Sequence, residues 1–357
     1  NRRESEGKTL HFERFRLLPE LLLPWYRENR RDLPWRRDRE PYHVWLSEIM
    51  LQQTRVEAVK GYYIRFLQAL PTLEDLSRVD DGALNKLWEG LGYYSRARNL
   101  KKAAVEICTN RGGQFPDTYE GVLSLPGVGE YTAGAVCSIA YDLPTPAVDG
   151  NVLRLCARLT DDHRCVDDPA YKNEVRSALT EIYPAEAGDF TQALMELGAT
   201  LCGPNRPPEC EKCPCRSLCL GADRGTAEKL PVRAEKKAKK REEMTVFLLE
   251  RDGDYALNRR PDTGLLAGLW ELPHCPGKLS PEEALAYLEN QGVRVRDVTR
   301  QWEKKHIFTH IIWEMRCYAM TVRSGGEGFT WVSEENVERE RALPTAFRQF
   351  WEERHHV

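Results

Sequence analysis

The sequence predicts a multidomain chain, an all-α unit followed by a smaller α+β unit, and three observations carry this. From Phe12 to Leu201 apolar residues recur at helical spacing almost without a break, enough for about ten helices. After Cys219 the period is lost, and residues 221–243 are charged and poor in large apolar groups, as a linker is. Beyond them, Thr245 to Leu249 and Tyr255 to Arg259 flank Asp252-Gly253, a strong hairpin signal. The expected divisions are 1–220, 221–243 and 244–357.

Start and stop signals justify the elements in turn. Pro41 suits a first helical turn, and Thr54 to Glu57 and Thr72 to Asp75 fit the capping box, in which a hydroxyl and a later carboxylate satisfy free amides. Gly112-Gly113 ends the helix that runs through Ile107. Helical segments at Thr118–Ser124 and Tyr131–Ala140 enclose Leu125-Pro-Gly-Val-Gly129, and Asp149 reads as the N-cap of a helix through Leu159. In the second unit His306–Trp313 and Met315–Val322 read as strands, while Pro281–Asn290 and Thr345–Glu353 read as helices.

Composition bounds the function. At 357 residues, 30% charged and 41% hydrophobic, the chain has the make-up of a globular protein, not of a fibrous or disordered one. Its most apolar run, Tyr131 to Val148, is interrupted by Asp142, Pro144 and Pro146, so no bilayer span and no membrane partner are expected. No secretory signal is legible, and a cytoplasmic, nucleoid-associated monomer is the expectation. With 52 basic against 55 acidic residues, a nucleic-acid site must be a local patch. Arg27, Arg30, Arg31, Arg36, Arg37 and Arg39 crowd one segment with Trp25, Tyr26 and Trp35, and a Lys-rich run spans Arg233 to Arg241. Arg31 and its neighbours are candidate phosphate contacts; a solvated helix end is the plainer alternative, and a solvated linker is the better reading of the second run.

The turn at Gly127 and Gly129 makes a helix-hairpin-helix, in which a backbone without side chains approaches a phosphate and the next helix start offers free amides. Sequence-neutral grip on double-stranded DNA is the expected result. Cys202, Cys210, Cys213, Cys215 and Cys219 crowd 18 positions, and a cluster this dense reads as metal-binding, with iron–sulfur and zinc both open.

Tyr131-Thr132-Ala133, Val148-Asp149-Gly150-Asn151 and the closing cysteines together resemble the endonuclease III superfamily of DNA glycosylases. Trp45-Leu-Ser-Glu48-Ile-Met-Leu-Gln-Gln53-Thr54 and the stretch from Gly264 to Pro273 narrow the resemblance to its MutY branch of adenine glycosylases. The resemblance implies an all-α helix-hairpin-helix glycosylase domain with an iron–sulfur loop, then an α+β Nudix-like domain. It implies removal of adenine opposite 8-oxoguanine, and opposite guanine, in base excision repair.

Cleaving the bond to adenine passes through an oxocarbenium-like sugar and asks for two unlike carboxyl groups. Glu48, in its apolar run, has the environment that raises a pKa and is the expected general acid, although a lone helical Glu is ordinarily solvent-facing. Asp149, hydrogen-bonded by amides at a helix start, is expected to stay ionised and stabilise the cationic sugar, with Asn151 orienting it or a water. Tyr131 stands where strand-nicking relatives carry a lysine; a phenol forms no imine, so base release without strand scission follows. This argues against a lyase of the endonuclease III type; the rival from another class is a non-catalytic, metal-stapled DNA-binding protein, in which Glu48 is a surface charge and Asp149 only a cap. Gln53 and Tyr93 match the family's wedge positions. Cys202, Cys210, Cys213 and Cys219, spaced C-x7-C-x2-C-x5-C, match its 4Fe-4S ligands except for one extra residue in the first gap and the additional Cys215. In the second domain Phe308-Thr309-His310 matches the loop that senses 8-oxoguanine. Before Gly292 only Glu289 stands where a Nudix pyrophosphatase needs several carboxylates for magnesium, so recognition is expected there and not hydrolysis.

Overall fold

Residues 13–204, 206–235 and 238–355 are described by the structure, a computed structural model. Phe12, and Lys236 and Lys237 of the basic run, lie outside the described residues. The chain divides into two compact units: one is built from the chain up to Arg78 and from Asn99–Glu235, the other from Val79–Arg98 and the chain after Glu235. Among the described residues no helix is long and apolar enough to cross a membrane.

The first unit is helical, as its period requires. Pro41 opens the Pro41–Leu51 helix. Thr72 and Asp75 exchange the two bonds of a capping box, Asp75 N to Thr72 Oγ1 and Thr72 N to Asp75 Oδ2, both 3.1 Å. The box expected at Thr54 does not form: Arg55 is the N-cap of the Val56–Ala69 helix, without a side-chain cap, and the Thr54 hydroxyl donates to Gln52 O at 3.3 Å. Helix Ser95–Asn110 stops where Gly113 N returns to Ile107 O. A core of Leu22, Tyr26, Leu155, Tyr171, Phe190 and Leu197 packs Leu18–Asn29, Gly150–Thr160, Pro169–Thr180 and Ala187–Ala199 together, and the buried Cys215 belongs to it.

The described residues of the stretch expected to be a linker are structured, and those from Lys240 on belong to a strand. Leu220–Asp223 is helical, Ala227–Lys229 forms a 3-10 turn, and Val232 makes a parallel bridge to Cys165, with Val166 N donating to Val232 O at 3.0 Å. The absence of a period there reflects single turns too short to show one, followed by a strap that is tied to the helical unit at Val232 and, through Ala234 N to Asp167 Oδ2 at 3.0 Å, just beyond it.

In the second unit seven strands form one mixed sheet: β1 Lys240–Arg251, β2 Asp254–Arg259, β3 Trp270–Glu271, β4 His274–Pro276, β5 Arg294–Ile307, β6 Ile311–Ser324 and β7 Thr330–Ser333. The order is β3-β2-β1-β6-β5, with β4 on β1 and β7 on β2; β1 and β6 are parallel and β5 and β6 antiparallel. Asp252 and Gly253, at φ 53° and 88°, make the β1–β2 turn that their side chains favour. Along β1, Val246 and Leu248 face one core and Phe247 and Leu249 the other, so the sheet is covered on both sides. Helix Pro281–Asn290 closes one face, and Glu334–Glu340 and Thr345–Trp351 close the other. His306–Trp313, read as one strand, is instead the end of β5, a turn and the start of β6, because Phe308 N bonds back to Ile311 O at 2.8 Å. The same unit holds Val79–Arg98: Glu89 accepts from Leu343 N at 2.8 Å, and Arg98 donates to Ala267 O at 3.1 Å.

Candidate active site

A cleft of about 740 Å³ in the helical unit gathers residues that the sequence separates widely: Glu48, Gln53, Gly129, Tyr131, Asp149 and Asn151 all line it. Glu48 comes from a helix whose residues from Val44 to Met50 are all buried, which explains how a carboxyl in an apolar run ends at 5% exposure. Burial pushes its pKa up to about 7; the Asp149 charge adds to this, while the Tyr131 hydrogen bond and Arg36 oppose it. Tyr131, in the first turn of Glu130–Tyr141, donates its hydroxyl to Glu48 Oε2 at 2.7 Å. Burial first, then the Glu48 charge, holds the phenol well above its ordinary range, so it is a proton donor in place and not an anion.

Asp149 caps Gly150–Thr160 through Asn151 N and Val152 N at 2.9 and 2.8 Å, while Asn151 Nδ2 donates to its other oxygen at 2.7 Å. Arg154 in turn holds Asn151 Oδ1 at 2.9 Å. These bonds favour the anion, yet burial prevails and the Asp149 pKa is raised from its ordinary value. The helix cap is visible in the sequence, whereas the desolvation that outweighs it arises only from the packing around it.

Leading into the cleft, Gly127 takes φ +76°, and a Cβ there would meet Asn99 Cβ at 2.6 Å, so the hairpin requires glycine. A Cβ on Gly129 would meet nothing within 4 Å, which leaves the backbone open to a close approach.

Arg31 is placed otherwise than as a free phosphate contact. Its Nε and Nη2 bind Glu196 at 2.7 and 2.9 Å, and Arg36 Nη2 binds the same carboxylate at 2.7 Å, because a fully buried Glu196 demands compensation. Burial alone would raise the Glu196 pKa, but the two guanidinium groups lower it. Sequence reasoning missed Glu196 and so took Arg36, which lines the cleft, for a phosphate contact like Arg31; Glu196 carries the same signal as Glu48, a carboxylate amid Phe190, Leu194 and Leu197.

Cys202, Cys210, Cys213 and Cys219 line a second cavity together, walled by Leu155, Leu159, Leu201, Ala222 and Arg158; Cys215 does not line it. Arg158 Nη1 donates to Cys202 Sγ at 3.2 Å, a contact suited to a thiolate. Among the described residues no three His, Cys, Asp or Glu converge as ligands of a single metal ion.

In the second unit Tyr93, at φ 47° and 47% exposed, exchanges a hydrogen bond with Thr309 Oγ1 at 2.9 Å. Thr309 and His310 are exposed at the β5–β6 turn. The Phe308 ring packs edge-on against Trp313 at 4.7 Å, anchoring the turn, and Ile307 beside it is 58% exposed.

Residues 46–184 match the HhH-GPD superfamily of base excision DNA repair proteins, and residues 245–353 match the NUDIX domain. A thermostable thymine-DNA glycosylase structure aligns at a TM-score of 0.52 with 28% identity, over 61% of this chain and 99% of that one. The helical unit is thus that of a base excision glycosylase. The adenine DNA glycosylases of Rattus norvegicus and Mus musculus are 34% and 35% identical, each over 93% of this chain and 78% of the relative. The chain belongs to the adenine DNA glycosylase family, enzymes that cleave an N-glycosidic bond in DNA.

Proposed function

We propose that this glycosylase removes adenine paired opposite 8-oxoguanine, with Glu48 as the acid and Asp149 as the group facing the cationic sugar. The observation that carries it is the buried Glu48, raised to about 7 and joined to Tyr131 at 2.7 Å in the cleft that Asp149 also lines. Protonated Glu48 passes its proton to a ring nitrogen of a flipped adenine, and the electron pair of the bond to C1′ leaves with the base. Asp149, held by two amides and Asn151, compensates the positive charge on the sugar. Water then adds to C1′, and its proton returns to Glu48. Tyr131 fills the position of a strand-nicking lysine, so an abasic site remains with the strand intact.

Thr309 and His310 supply hydrogen-bonding groups for the base opposite, Tyr93 and Gln53 fill or kink the gap in the stack, and Gly127 and Gly129 take a backbone phosphate of the double-stranded DNA. Cys202, Cys210, Cys213 and Cys219 suit a 4Fe-4S cluster: the four thiols share one cavity, with the Arg158 guanidinium donating to Cys202 Sγ at 3.2 Å. When bound, such a cluster cross-links the loop and holds redox-active iron. The protein acts as a monomer.

The test is an 8-oxoguanine:A duplex incubated with purified protein and then treated with alkali. Scission only after alkali is expected. Scission before alkali means a lyase, and an intact strand after it means a binder without activity.

A further inference from the structure

The active-site mouth carries a cation that comes from outside the glycosylase core motifs. Arg233 lies in the strap after the cysteine loop, yet it lines the same cleft as Glu48, Tyr131 and Asp149. The strap is pinned there on both sides of it. Leu230, buried, accepts from Arg158 Nε at 3.0 Å; Val232 makes the bridge to Cys165; and Ala234 N donates to Asp167 Oδ2 at 3.0 Å. These bonds direct the guanidinium to the start of the Gly150–Thr160 helix, where a Cβ built on Gly150 would stand 3.1 Å from Arg233 Nη2. The residue is therefore next to the backbone of Asp149 and Asn151.

What the guanidinium does there follows from its partners. Its one carboxylate is Asp167, at 3.3 Å, with Arg233 49% exposed, which is the weak, exchangeable kind of surface pair. Lys172 lines the same cleft, and its side chain pairs with no carboxylate among the described residues; Arg176 is there too, paired with Glu130. The Asn151 and Val152 amides at the start of the Gly150–Thr160 helix are occupied by Asp149, so these two offer no donors to a ligand. A nucleotide whose sugar sits beside Asp149 brings its flanking phosphodiester to this mouth, and a planar guanidinium matches a phosphate with two parallel donors.

Resting on the base-flipping reading above, we infer that Arg233 binds the phosphodiester next to the flipped nucleotide, with Lys172 beside it, and so holds the sugar against Asp149. The linker-borne strap is thus part of the substrate site. Arg233 is a binding and positioning residue and takes no part in proton transfer.

The experiment measures the affinity of the full-length protein over a series of salt concentrations for two duplexes. One carries 8-oxoguanine opposite an adenosine whose 2′-fluoro sugar blocks base release; the other has only ordinary pairs. Arg233→Gln should weaken binding to the first by tenfold or more and reduce its salt slope by about one, with a much smaller change on the second. Arg233→Lys should recover the slope. Unchanged affinity and slope in Arg233→Gln overturn the inference. So does an equal loss on both duplexes, which would make the contact generic, and so does a loss that tracks a lowered Tm and is not recovered by Arg233→Lys, which would make Arg233 only a brace. A wild-type protein that binds with the expected slope but releases no adenine refutes the base-release reading instead, and the two failures are distinguishable.

Discussion

The pKa of Glu48 is a statement about stability as well as catalysis, and Glu48→Gln tests it without any substrate. The folded protein holds this carboxyl at about 7 against 4.5 for the free group, chiefly because burial penalises the anion. A raised folded-state pKa means that the native protein keeps its proton where the unfolded chain has lost it. Its contribution is therefore fully present below pH 4.5, declines as pH rises, and is gone above about 7. At about 1.4 kcal/mol per pH unit, the span from 4.5 to about 7 amounts to about 3 kcal/mol. Glutamine has the same shape and no titration, so any cost of its amide beside Tyr131 is a constant offset. The stability of wild type minus that of Glu48→Gln should fall by about 3 kcal/mol between pH 4.5 and 7.5 in urea denaturation series. Since the Asp149 charge contributes to the shift, the same pair measured in an Asp149→Asn background should show a smaller fall. A difference that does not change with pH, or that grows as pH rises, would refute the reasoning, because Glu48 would then ionise as an exposed carboxyl does.

Tyr131→Phe removes the donor that favours ionised Glu48, a charged hydrogen bond of about 1.5–3 kcal/mol, so the high-pH limb of the single-turnover excision rate should move upward by about 1–2 pH units; a limb that stays or moves down contradicts the pairing at 2.7 Å. Cys215→Ser should leave bound iron and visible absorbance intact, because Cys215 is outside the cavity of the other four, while lowering stability by about 1–3 kcal/mol for a hydroxyl placed in the core; bleaching by this change and not by Cys213→Ser would reassign the ligands. Thr309→Ala with His310→Ala should lower the preference for 8-oxoguanine:A over G:A by about 1–3 kcal/mol in single-turnover efficiencies, and an unchanged ratio would move lesion reading to the helical unit.

What was legible in the sequence is what local chemistry decides. Asp149 as a cap, the Thr72 box, the Asp252-Gly253 hairpin and the glycine turn at Gly127 each depend on a few adjacent residues, and each forms. The failures have equally local causes. Thr54 had the right spacing but the chain turned at Gln53, which takes φ 57°, and the helix started one residue past Arg55. The edge strand β5 was missed because its side chains are largely polar and its register shifts between Arg294 and Arg300, which erases a clean alternation. The Phe308 turn was hidden inside an apolar run in which one ring packs inward and the next residues do not.

The catalytic arrangement belongs to another class of information. Glu48 meets Tyr131 across 83 positions, Arg31 meets Glu196 across 165, and Arg233 reaches the cleft from a segment without any period at all. No window of sequence holds such a pair, and the resemblance to a family can supply only those members that the family's motifs contain. Desolvation nevertheless leaves a trace that a sequence can carry. A carboxylate within an apolar helical run must either turn out to solvent or be compensated inside, and both Glu48 and Glu196 took the second course, one with a proton and a phenol, the other with two arginines. The difference between the two fixes their chemistry. Glu196, paired with permanent cations, has its pKa lowered and remains an anion near neutrality, so it has no proton to give there. Glu48, with a neutral donor as its nearest partner, is left near 7, where it can both hold a proton and release it.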